Sequence, residues 1–143
     1  MAGLITALGV LAVATGAGLW WRRRDGRLRP VARVAAVPDD LAALGVLAGT
    51  PVTLLQFSSA FCAPCRVTRQ LCAAVAERFE GVRHVEVDAE AHLEAVRRLH
   101  VWRTPTVLVV DRTGTVVQRA TGTPTRAQVI AAIAPLLPTG AAR

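Results

Sequence analysis

Residues 2–21 carry no charge, and no other feature limits the architecture of the chain so sharply. As a helix rising about 1.5 Å per residue, twenty such positions cross a hydrocarbon core about 30 Å thick. Two other segments pass the same length test, a cleaved signal peptide and a buried core helix. A signal peptide has a basic stretch before its apolar run and small residues at a cleavage site after it. Here only the α-amino group precedes the run, and Trp20-Trp21-Arg22-Arg23-Arg24 follows it. A tryptophan pair at an apolar boundary followed by arginines describes an interfacial belt and a snorkelling collar, so residues 1–21 are expected to be an uncleaved, single-pass membrane anchor. Arginines beside a span stay on the cytoplasmic side, which places the N-terminus outside and the remaining chain in the cytoplasm. Ala12 with Gly16 and Ala14 with Gly18 have the spacing that lets spans approach closely. In a helix so rich in Ala and Gly that spacing arises by chance, and a monomer is expected.

The collar also accounts for most of the charge. The chain is formally +7, but residues 1–33 hold six Arg against one Asp, and residues 34–143 hold eleven Arg against nine acids. The folded part is therefore only mildly basic. It lacks the basic patch with interleaved aromatic residues on which nucleic acids stack, and no nucleic-acid partner is expected.

Residues 22–50 read as a basic linker with irregular elements: a short edge strand at 31–37, then a helix start at Pro38 with Leu41, Leu44 and Leu47 spaced by three. Beyond Pro51 the signals sharpen. Residues 52–57 form a short apolar run fit for a buried strand. Residues 66–79 form an amphipathic helix with Val67, Leu71, Val75 and Phe79 on one stripe, ended by Gly81. Residues 82–88 alternate as a strand, and 91–99 form a helix with Leu93, Val96 and Leu99 in register. Strands at 105–110 and 115–121 flank a turn at Asp111 to Gly114, and a helix at 127–137 follows the N-cap Thr125. The order β-α-β-α-β-β-α makes residues 51–137 one α/β domain, with 138–143 as a tail.

Cys62-Ala63-Pro64-Cys65 stands between the first of these strands and the helix after it. A helix N-terminus offers unpaired N–H groups and partial positive charge, which stabilise a thiolate on Cys62 and lower its pKa from about 8.5 by one or more units. Cys65, one turn on, is placed to be the more buried, resolving thiol that closes the Cys62–Cys65 disulfide. Pro64 fits the first turn, where its missing N–H costs nothing. Two other readings stand beside this one. A zinc site needs a second ligand pair, for which only the isolated Cys72, His84, His92 and His100 remain, and two incidental core cysteines need no partner at all.

Phe57-Ser-Ser-Ala-Phe-Cys-Ala-Pro-Cys-Arg66, with Thr104-Pro105-Thr106 some forty residues on, resembles the thioredoxin family. The resemblance spans residues 51–137 and implies the thioredoxin fold, a central mixed sheet flanked by helices. It implies that Pro105 is the cis-proline facing Cys62 and Cys65, consistent with the near confinement of cis peptides to X-Pro bonds. It also implies that the backbone of Thr104 pairs with an extended substrate segment, in a groove bordered by Ala63, Pro64, Arg103, Thr121, Gly122 and Thr123. The activity implied is thiol–disulfide exchange, with protein disulfides as substrates, an electron donor that regenerates the dithiol, and neither cofactor nor metal. The small, uncharged Ala-Pro between the cysteines favours a reductase.

Two positions depart from the family pattern. Phe61 stands where a Trp is common; its ring can shield the sulfur but brings no indole N–H. Gln56 stands where the family has a buried Asp, and His84 where a Lys is usual. Gln56 cannot accept a proton as a carboxylate does, and it removes a buried negative charge, which eases formation of a thiolate. Gln56 and His84 either form a neutral hydrogen-bonded pair or leave His84 facing solvent. Cys72 is expected in the core, because a position seven residues along a helix, about 10.5 Å away, is too far to bridge Cys65. His92 and His100 are assigned to the surface, and Trp102 is either core or a substrate contact. Within the same class, an extracytoplasmic reductase like the tethered thioredoxins of cytochrome c maturation shares the anchor-plus-domain plan, but the collar argues against it. From another class, Cys62 and Cys65 could hold Cu(I) or another soft metal in a binding module.

Overall fold

Helix α1 (Ala2–Arg24) runs three residues past the uncharged stretch. The computed structural model of the chain describes residues 2–35, 38–138 and 140. From Gly3 to Trp21 the side chains are all exposed, and the helix is long and apolar enough to cross a membrane. At its end the Arg24 guanidinium lies 4.0 Å from the centre of the Trp20 ring, a cation–π contact one turn apart.

A strand buried on both faces needs an unbroken apolar run, and β2 (Val52–Ser58) is one: all seven residues are buried. It pairs in parallel with β3 (Val82–Asp88), with Gln56 opposite Glu86 and Leu54 opposite His84. Parallel neighbours require a crossover, which α3 (Ala63–Arg78) supplies. On its other side β2 pairs antiparallel with β4 (Thr106–Asp111), which turns through Asp111 and Gly114 into β5 (Thr115–Thr121). β1 (Arg29–Ala35) pairs antiparallel with β5, completing a five-stranded mixed sheet in the order β1-β5-β4-β2-β3. This is the thioredoxin fold, with one core on each face of the sheet.

The N-terminal elements enter that core more than the sequence reading allowed. β1 spans Arg29–Ala35 where a short edge strand at 31–37 was expected; residues 36 and 37 lie outside the described residues. Its Arg29 and Pro30 suit an edge, where charge and a missing N–H discourage further pairing. α2 (Pro38–Ala43) ends early, so Leu47 is 53% exposed, and Val46 joins Leu41 and Leu44 against Leu55, Phe57, Leu108 and Val110.

The stripe expected on α3 is rotated. The helix begins at Ala63 and buries Cys65, Thr68, Cys72 and Val75, while Val67 is 56% exposed. Small side chains let the helix approach the sheet, and the Thr68 hydroxyl is satisfied inside by the Pro64 carbonyl at 3.0 Å and the Thr123 hydroxyl at 3.2 Å. α4 (Leu93–Arg98) is shorter than expected and leaves Leu93 exposed, with Val96 and Leu99 packed on the core. α5 (Arg126–Ile133) starts on Thr125, whose side chain accepts the Gln128 N–H while Gln128 returns the bond to the Thr125 N–H, and it ends in a 3-10 turn at Ala134–Leu136.

Candidate redox site

Cys62 is the N-cap of α3, and its sulfur accepts the Cys65 backbone N–H at 3.1 Å. One first-turn N–H and the partial positive end of the helix thus meet at this sulfur, the arrangement that favours a thiolate. Cys62 and Cys65 are joined by a disulfide with their Cα atoms 5.2 Å apart. Cys62 is partly exposed whereas Cys65 is 1% exposed, so only the first sulfur can be reached from solvent. Pro64 occupies the first turn, and Ala63 and Pro64 are exposed beside Cys62.

The Thr104–Pro105 peptide bond is cis. The loop around it is held from several sides: Thr106 Oγ1 donates to the Arg103 carbonyl at 2.7 Å, Gly122 N–H donates to the Pro105 carbonyl at 2.8 Å, and the Ser59 and Thr104 hydroxyls are 3.0 Å apart. Pro64, Arg103, Thr104, Pro105, Gly122 and Thr123 line one cavity of about 450 Å³, together with Asp25. The structure therefore brings the expected groove residues together apart from Ala63 and Thr121, which do not line this cavity. Asp25 has no sequence signal for this place: it reads as part of a linker and arrives only through the fold. A second cavity of about 310 Å³ is lined by Ser58, Ser59, Ala60, Arg69, Glu86 and Asp88.

Gln56 is fully buried beneath the dithiol. Its Nε2 donates to Ser58 Oγ at 2.8 Å and to the Cys65 carbonyl at 3.0 Å, which leaves Oε1 to accept from His84 Nε2 at 3.1 Å. Gln56 and His84 thus meet in a hydrogen bond in which the imidazole Nε2–H is the donor. Burial lowers the His84 pKa, outweighing the Glu86 charge that would raise it, and Arg69 lowers it further. Burial alone would raise the Glu86 pKa, but the hydrogen bonds from Arg69 and Ser58, with the Arg69 and His84 charges, bring it below the usual carboxylate range. Arg69 grips that carboxylate with Nη2 2.9 Å from Oε1. Ser58 and Glu86 were not singled out from sequence, because a lone Ser and a mid-strand Glu carry no local signature; only the pairing of β2 with β3 joins them to Gln56.

Several side chains depart from the sequence reading. Phe61 is 101% exposed, so its ring stands in solvent and does not shield the sulfur. Trp102 is 87% exposed and stacks on His100 at a centroid distance of 6.4 Å, which excludes a core role. Cys72 is fully buried, its thiol pushed up to about 12 by burial, and His92 and His100 are exposed. Among the described residues no three His, Cys, Asp or Glu side chains gather as a ligand set for a metal.

A central mixed sheet, a paired-cysteine motif capping the crossover helix and a cis-proline loop across a groove define a thiol–disulfide oxidoreductase scaffold. The chain belongs to the thioredoxin family, whose model matches residues 44–135. No curated protein sequence matches it. Among solved structures it is similar to a thioredoxin of Fasciola hepatica, 21% identical over 72% of this chain and 96% of the other, with a TM-score of 0.58. It is similar also to the reduced thioredoxin pre-protein of Schistosoma mansoni, 21% identical over 68% and 90% of the two chains, with a TM-score of 0.58. A thioredoxin variant from Halobacterium salinarum is 17% identical over 67% and 86%, with a TM-score of 0.59.

Proposed function

We propose that the protein is a membrane-anchored thiol–disulfide oxidoreductase working in the reducing direction. The observation that carries this reading is the partly exposed Cys62 sulfur at the N-terminus of α3, backed by buried Cys65 and faced by the Thr104–Pro105 groove. The Cys62 thiolate attacks one sulfur of a substrate disulfide, forming a mixed disulfide and releasing the other sulfur as a thiolate that takes up a proton. Cys65 then gives up its proton and attacks the Cys62 sulfur. The Cys62–Cys65 disulfide forms, the second substrate thiol leaves, and two electrons have passed to the substrate. A dithiol donor returns the protein to its reduced state. Thr104 offers its backbone to the substrate segment, and Arg103, Gly122 and Thr123 shape the walls. Gln56 supports the resolving step by holding the Cys65 carbonyl, and the Cys65 proton passes to water.

The positive-inside rule puts the N-terminus outside and the redox domain in the cytoplasm, where no structural disulfide is needed and a reducing donor is at hand. The test is insulin reduction by the full chain in liposomes with dithiothreitol as donor. Cys62→Ser is expected to abolish turnover, and Cys65→Ser to accumulate mixed disulfides. No turnover, together with Cu(I) retained at one ion per chain, would overturn the reading in favour of a metal-binding module. A reporter at the C-terminus fixes the side: activity only outside the cytoplasm would move the protein to the extracytoplasmic reductases.

A further inference from the structure

We propose that the turn at Asp25 and Gly26, just past the anchor, is one wall of the substrate groove and holds the groove close above the membrane surface, so that the site acts on disulfides in extended segments of membrane-embedded proteins. This rests on the oxidoreductase reading above and on α1 as a membrane span.

The turn is built into the groove. α1 continues to Arg24, the Asp25 N–H donates to the Trp21 carbonyl at 3.0 Å, and the Gly26 N–H donates to the Thr121 carbonyl at 2.7 Å. The Asp25 carboxylate pairs with the Arg103 guanidinium, which also reaches the Thr121 carbonyl at 3.5 Å. Gly26 is buried at φ +74, and a Cβ there would collide with the Thr123 carbonyl. Across the contact, a Cβ on Gly122 would stand 3.0 Å from Gly26 N and 3.2 Å from Asp25 Cγ. Two glycines at positive φ therefore let the turn seat directly on the loop that carries the groove.

The same bonds set the height of the site. Trp21 is four residues before Asp25, about 6 Å of helix rise. One hydrogen bond leads from Gly26 to Thr121, and another from Gly122 to Pro105 at 2.8 Å. The cis-proline thus lies on the order of 15 Å from the tryptophan belt, while a headgroup layer is about 5–8 Å deep on each side of the bilayer. The groove therefore opens a little above that layer, within reach of segments that leave the bilayer. Phe61 and Trp102 stand exposed next to Cys62 and Arg103, apolar rings that suit an interfacial setting better than bulk water. A partner in the same membrane meets this groove at a raised effective concentration, whereas a disulfide far above the surface does not reach it.

The full chain in liposomes of phosphatidylcholine and phosphatidylglycerol tests this with two single-span peptides. One carries an oxidised Cys-x-x-Cys pair just beyond its span, and the other carries it on a rigid helical spacer about 30 Å out. The near probe is expected to be reduced at least ~10-fold faster. Inserting about twenty Gly and Ser residues between Arg24 and Asp25, with a reach of about 25 Å, should bring the two rates together while insulin reduction stays as in wild type. Gly26→Val, which cannot seat the turn, should also lose the preference. Equal rates for both probes in wild type, with insulin still reduced, overturn the proposal. Loss of insulin reduction itself overturns the oxidoreductase reading beneath it.

Discussion

Replacing Gln56 by Asp would put a charge where the protein now keeps a neutral amide beside its resolving cysteine. Gln56 is fully buried, and its Nε2 is 3.0 Å from the Cys65 carbonyl oxygen. A carboxylate there would stand roughly 6 Å from the Cys65 sulfur, and at an effective dielectric of about 20 it would repel a thiolate by about 2.8 kcal/mol, or about two pK units. Asp is one methylene shorter than Gln, so the separation grows and the shift falls to between about one and two units. The His84 imidazole, now neutral against the amide oxygen at 3.1 Å, would become the natural counter-ion of the new carboxylate and offset part of the shift. The assay is the pH dependence of thiolate ultraviolet absorbance in the reduced Cys62→Ser protein, where Cys65 is the active-site thiol that titrates. Gln56→Asp is expected to move the profile up by one to two units, and adding His84→Ala to move it further. The lost donors to Ser58 and Cys65 should cost about 1–3 kcal/mol in urea unfolding, a check that the buried bonds are real. Superimposable profiles in the Cys62→Ser background with and without Gln56→Asp and His84→Ala would refute the reasoning.

Three further outcomes follow from the same geometry. His84 has a pKa below its ordinary 6.5, chiefly through burial, so the unfolded chain binds a proton where the folded one does not. Stability is then held above pH 6.5 and lost as pH falls through the lowered folded value; His84→Gln should flatten that part of a urea-midpoint profile measured from pH 5 to 8, and an unchanged slope would contradict it. Cys72 is fully buried with its thiol at about 12, so dithionitrobenzoate should titrate two thiols in the reduced native protein and a third only after unfolding. Thr125→Ala removes the side-chain acceptor of the α5 capping box and should lower urea stability by about 1 kcal/mol; no change would mean the helix is held by packing alone.

Much of the redox domain was legible because its signals are local. An unbroken apolar run marks the doubly covered strand β2, and a Cys-x-Pro-Cys at its exit marks a helix whose first turn needs no N–H from Pro64. The stripe on α3 was misread because aliphatic residues weigh most in a periodicity. The sheet instead takes Cys65, Thr68, Cys72 and Val75, whose small side chains allow close approach and whose one hydroxyl finds partners inside. The short α2 and the exposed Leu47 escaped for a similar reason, since spacing by three does not reveal where a helix stops.

Local signals in the sequence marked the charge-free run with its arginine collar, the α/β order and the cysteine pair at a helix start. Each of these depends on residues close together in the chain, where turn geometry and hydrophobic period act directly. Tertiary structure alone decided what gathers around the cysteines. Pairing of β2 with β3 sets Gln56 beside His84 and links it through Ser58 to Glu86 and Arg69, and pairing of β1 with β5 carries Asp25 and Gly26 to Arg103, 78 residues away. Such contacts come from strand register, which is settled by burial of two whole faces at once and leaves no mark on any single stretch of sequence.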